Sequence, residues 1–134
     1  MVDYLKRKLK LVSIHSLVET EEYSKKDAII LAKSIEDFGF WTVPIAVDSF
    51  TFGVMDGHHR LNAAKLIGLA RVPCIVMSYE TGGVILNSWR DDLSCNVDDV
   101  RKMIKISKKY PLKTTRHTFN PSLKEIKVPI GLLY

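Results

Sequence analysis

At 134 residues, with 46% hydrophobic and 26% charged side chains, the chain has the make-up of one globular domain, long enough to bury a real core. Its 20 basic and 15 acidic residues leave a charge of +5, which suits anionic ligands of any size; the cations are scattered rather than banded, so charge alone does not point to nucleic acid. No stretch nears the ~20 apolar residues of a membrane span, residues 1–10 lack the apolar region of a signal peptide, and Cys74 and Cys95 fit neither a metal spacing nor a disulfide framework. These features predict a cytoplasmic protein.

In chain order, residues 8–14 read as a first strand and residues 15–22 as a polar connector carrying Glu19, Glu21 and Glu22. Ser24 can cap a helix over 25–38, with Ile29, Ile30, Leu31, Ile35 and Phe38 near one face and Gly39 as its stop. Residues 43–47 form a buried strand with a proline near its start, 48–51 a turn, and 52–55 a returning strand. A glycine turn then opens an amphipathic helix that Gly68 closes. Residues 74–79 are a further strand, Gly82 and Gly83 break the chain, and 84–89 is a strand or an irregular segment. After the polar residues 91–96, a helix runs to about residue 109, before Pro111. Residues 111–119 show little periodicity and many hydrogen-bond donors, and the apolar tail 126–133 is expected to rejoin the core. Helices and strands alternate over short connections, so the class is mixed α and β.

The chemistry concentrates in two stretches. The first is Asp56-Gly57-His58-His59-Arg60. Backbone N–H groups at a helix N-terminus are unpaired and partly positive, so this turn, with two imidazoles and a guanidinium, is an anion cradle with a carboxylate on its lip. The same residues also suit a plain turn followed by a solvated helix start. The adjacent histidines lack the i, i+4 spacing that puts two metal ligands on one helix face. The second stretch, Lys113-Thr114-Thr115-Arg116-His117, offers cations, hydroxyls and an imidazole, with Arg116 as its best fork for a carboxylate or phosphate. The three glutamates need no function, because acidic residues before a helix offset its dipole. Trp41 and Trp89, large aromatics near loop–strand junctions, fit a core better than a ligand wall.

The order of these elements, with Ser34-Ile35 before Gly39, Pro44-Ile45 and Val47, Met55-Asp56-Gly57, His59-Arg60, Ala63, Lys65, Gly68 and Val72-Pro73, resembles the ParB/sulfiredoxin superfamily over residues 9–133. Asp-Gly-His-His-Arg together with Lys-Thr-Thr-Arg-His looks like the free L-serine kinases within it, which phosphorylate serine to O-phospho-L-serine with ADP or ATP. His58 stands where partition proteins carry glutamate and sulfiredoxins their catalytic cysteine.

The resemblance implies an α+β fold in a single domain over residues 1–134, with a mixed sheet and helices packed on it. It implies Asp56 and one connector glutamate as catalytic residues, Glu21 by position with Glu19 and Glu22 as the alternatives, and Gly57, His58, His59 and Arg60 on the nucleotide phosphates. Trp89, Lys113, Thr114, Thr115, Arg116 and His117 would hold the acceptor. Mg2+ is implied by the nucleotide chemistry, with its ligands left open. The partners would be ADP or ATP and a small hydroxyl compound, with neither membrane nor nucleic acid. These kinases carry an extra region between the tryptophan and the Thr-Arg-His segment, where this chain has one short helix; a homodimer or a different acceptor would compensate. The alternative is a ParB-type nucleotide- or DNA-binding module without kinase activity.

Overall fold

The computed structural model describes residues 6–90 and 95–134. Most of the polar stretch expected at 91–96, and the first five residues, lie outside the described residues. The chain begins with β1 (Lys8–Ser13), which is followed by the connector and by α1 (Lys25–Phe38). The Ser24 side chain accepts the Asp27 N–H at 3.2 Å, and Gly39, at φ +83°, ends the helix in the left-handed conformation. The short β2 (Phe40–Trp41) leads to β3 (Ile45–Asp48), β4 (Val54–Asp56), α2 (His58–Ile67) and β5 (Arg71–Met77). β6 (Val84–Ser88), α3 (Val97–Lys105), β7 (Thr115–Phe119) and β8 (Val128–Pro129) complete the fold.

The main sheet runs β1-β5-β3-β4, with β3 and β5 parallel and the outer pairs antiparallel. It is the mixed sheet that the sequence predicts. β6 and β7 form a separate antiparallel ribbon, and β2 pairs with β8. Trp41, Ile45, Val47, Val54, Leu61, Val72 and Leu133 form the apolar core, all at or near zero exposure. The tail closes onto it: the Leu133 carbonyl accepts the N–H groups of Ala70 and Arg71. No helix among the described residues is long and apolar enough to cross a membrane.

Several local expectations change, among them the strand expected at 74–79, which runs from Arg71 to Met77. α1 packs on α2 through Ala28 and Ala32, which are buried, while Ile29, Ile30 and Phe38 are more than half exposed. The small residues allow the two helices to approach closely, and this turns the larger apolar side chains outward. The strand after the 48–51 turn starts only at Val54, because Phe52 adopts φ +59° within the turn. α3 ends at Lys105 rather than near 109, because the chain reverses at Ser107, which takes φ +56°. Residues 115–119 are not irregular: they pair with β6, Thr115 opposite Ser88 and Phe119 opposite Val84.

Candidate active site

The turn between β4 and α2 depends on Gly57, whose φ of +111° is open to glycine alone at low cost. A Cβ there would stand 3.1 Å from Ile45 Cγ1 and 3.3 Å from Arg60 Nη2. Gly57→Ala is therefore expected to cost about 1–3 kcal/mol of stability, read as a lower urea midpoint at unchanged slope. No side chain among the described residues caps α2, so the N–H groups of its first turn are open to a ligand. Arg60 reaches back toward Asp56, Nη2 to Oδ2 at 3.6 Å, and its buried Nε has no hydrogen-bond partner among the described residues. Burial also lowers the pKa of its guanidinium, partly offset by Asp56.

The two histidines of this turn hold the connector. The Thr20 N–H donates to His58 Nε2 at 3.1 Å, and the Ser24 N–H donates to His59 Nε2 at 2.9 Å. An imidazole that accepts through Nε2 carries its proton on Nδ1. Burial keeps His58 neutral, with its pKa lowered to about 4. The two contacts bracket Glu21. The connector glutamates then separate. Glu19 accepts from Asn62 at 2.7 Å and Lys65 at 3.0 Å and fastens α2, Glu22 is exposed, and Glu21 is buried against the start of β7. Glu21 Oε1 accepts the Thr114 N–H at 2.7 Å, the Thr115 N–H at 2.8 Å and the Thr115 hydroxyl at 3.2 Å. Oε2 has no hydrogen bond among the described residues, and Glu21 lines a cleft of about 290 Å³.

Asp56, Gly57, His58, His59 and Arg60 form one side of that cleft, and Trp89, Lys113, Thr115 and His117 another, with Leu31, Met55 and Leu112 as apolar lining. The two sequence stretches thus meet, 50 to 60 residues apart in the chain. Two of the expected contacts do not reach the cleft. Thr114 is fully buried and its hydroxyl donates to the Pro111 carbonyl at 2.7 Å. Arg116 lies on the opposite face of β7 from Thr115 and His117, as strand alternation requires, with its guanidinium 4.5 Å from the Trp89 ring centre. The apolar lining residues and the His58 and His59 contacts to backbone carry no sequence signal, since backbone partners are not encoded by residue type. Cys74 does not line the cleft, and burial pushes its thiol pKa up to about 12, so it is no nucleophile.

A family model of the ParB N-terminal domain matches residues 6–87. The chain belongs to that family. Among curated relatives, the chain is 30% identical to an ATP-dependent L-serine kinase of Desulfurococcus mucosus over 83 residues, which is 59% of this chain and 32% of that protein. A second ATP-dependent L-serine kinase, from Staphylothermus marinus, is 28% identical over 99 residues, 71% of this chain and 39% of the relative. The chain therefore spans about a third of the length of the curated kinases it matches. Among solved structures, a free serine kinase in complex with AMP superposes with a TM-score of 0.84 at 12% identity, covering 98% of this chain and 95% of that one. SbnI from Staphylococcus aureus, truncated at its C-terminus, gives 0.80 at 14% identity over 92% of this chain and 88% of that one. The α+β fold and the likeness to the free serine kinase branch of the family agree with the reading of the sequence.

Proposed function

We propose that this protein is a free serine kinase, transferring a phosphoryl group from ATP or ADP to the hydroxyl of L-serine or a closely similar small acceptor. The observation that carries the reading is the setting of Glu21. One carboxylate oxygen is fixed by three hydrogen bonds, and the residue lines the same cleft as the uncapped N-terminus of α2. Phosphoryl transfer depends on positioning and electrostatic stabilisation, and this arrangement supplies both. The free N–H groups of residues 58–60 and the Arg60 guanidinium would hold the nucleotide phosphates. Glu21 would take the proton from the acceptor hydroxyl through Oε2. Trp89, Lys113 and His117 would enclose the acceptor, and Arg116 would act by bracing Trp89 rather than by touching the substrate.

A hard cation bridging nucleotide phosphates needs one or two carboxylates and keeps several waters. Among the described residues no cluster of three or more His, Cys, Asp or Glu side chains forms a closed metal cage, while Asp56 and Glu21 both line the cleft. That donor set fits Mg2+ carried in with the nucleotide, Asp56 being the ligand that Glu21's role as base leaves available. When bound, it would neutralise charge on the phosphate oxygens. Incubation of the purified protein with labelled serine, Mg2+ and either ATP or ADP should yield O-phosphoserine. If neither nucleotide gives phosphorylated product with serine or with a panel of small hydroxy acids and amino alcohols, the kinase reading falls.

A further inference from the structure

Among the described residues, His117 has one ring nitrogen in use and one without a partner. The Tyr79 hydroxyl lies 2.8 Å from Nε2, while Nδ1 is buried and has no hydrogen-bond partner among the described residues. The hydroxyl has no other partner among the described side chains. Burial raises its pKa, so the phenol keeps its proton. With no other acceptor for it among the described residues, the phenol O–H is satisfied by donating to Nε2, and in that arrangement the ring's own proton sits on Nδ1. Tyr79 is itself held from the far side. The Arg101 guanidinium sits 5.5 Å from its ring centre and 5.0 Å from that of Phe50, and bonds Asp48 at 3.3 Å and Glu80 at 3.0 Å. Phe119 stacks on the other side of the imidazole, ring centres 6.4 Å apart. The ring is thus flanked by Tyr79 and Phe119, and its buried Nδ1 has no hydrogen-bond partner among the described residues. Such a group costs free energy unless something arrives to accept from it.

We propose that Tyr79 is a positioning residue: its phenol fixes His117 in the Nδ1–H tautomer, and that N–H donates to a carboxylate oxygen of the acceptor bound in the cleft. The acceptor clause rests on the kinase reading above; the tautomer clause does not. Tyr79 does not line the cleft and acts only through His117. The hydrogen-bond direction makes the site a donor to anions, whereas the opposite tautomer would present a lone pair and repel a carboxylate.

The test is Tyr79→Phe in the full chain, which keeps the ring against Arg101 and removes only the hydroxyl. Nitrogen-15 spectra of the histidines should show wild-type His117 protonated on Nδ1 and bare on Nε2, and the variant shifted toward the Nε2–H form. The serine KM should rise about tenfold, as expected for one lost charge-assisted hydrogen bond, with kcat changed less than threefold and AMP affinity unchanged. A wild-type His117 protonated on Nε2, or an unchanged tautomer in the variant, overturns the proposal, as does an altered tautomer with an unmoved serine KM. Absence of turnover in the wild type would count against the kinase reading, while the spectra would still decide the role of Tyr79.

Discussion

Glu21→Gln is expected to lower turnover by about 10²- to 10⁴-fold, the usual contribution of a positioned general base, while leaving nucleotide affinity within about threefold. The substitution separates chemistry from architecture. A glutamine carbonyl in the place of Oε1 can still accept the Thr114 and Thr115 N–H groups and the Thr115 hydroxyl. Only the other oxygen changes, to an amide that cannot take a proton. Glu21→Ala removes both. It strands two buried N–H donors, so a loss of stability of about 2–5 kcal/mol should accompany the loss of rate. Thermal midpoints measured alongside turnover with ATP and serine distinguish the two effects. A glutamine variant with wild-type rate would show that Glu21 is a structural staple alone and that the proton leaves by another route.

The second large effect is on stability in mild acid. His58 and His117 are held neutral by burial, with pKa values lowered from 6.5 to about 4 and about 3. In the unfolded chain both would bind protons near pH 6.5. Between there and pH 4 the unfolded state holds more protons than the native one, so stability falls as pH falls. Above pH 7 these two groups contribute no pH dependence, and below about pH 3 their contribution levels off. His58 alone accounts for about 3 kcal/mol across that window. Urea midpoints at pH 7.5, 6, 5 and 4 should trace the loss. Replacing His58 by glutamine, whose carbonyl can still accept the Thr20 N–H, should remove about one proton from the slope near pH 5. An identical slope in wild type and variant would show that His58 is not held neutral by the fold.

The two helices on which the site depends are legible because their ends are chemically marked. Ser24 and Gly39 bound α1, and Gly57 and Gly68 bound α2; all three glycines take positive φ. The meeting of the two polar stretches follows from the family resemblance, not from any local pattern. The face of α1 is misread because the hydrophobic periodicity of Ile29, Ile30 and Phe38 is real but loses to the close approach that Ala28 and Ala32 permit. The second stretch is misread in a different way. Lys113 to Thr118 are six polar residues in a row with no apolar alternation, so nothing in the sequence marks 115–119 as a strand. Once it is a strand, side chains alternate and half of them leave the cleft. For this reason Thr115 and His117 line it while Arg116, the better anion fork by residue type, faces away. Glu21 was one of three candidate glutamates, and only long-range partners separate it from Glu19 and Glu22.

Those long-range partners tie the proposed catalysis to the order in which the chain can fold. The α2 turn is local, formed by residues adjacent in sequence, but the bond from Glu21 to the Thr114 N–H spans 93 positions. Contacts of that separation carry the highest closure entropy and tend to form late. A partly folded chain could therefore hold a nucleotide at the α2 N-terminus while its proposed base was still unplaced. In refolding experiments, nucleotide binding should recover ahead of turnover, and the return of turnover would report the joining of the connector to β7.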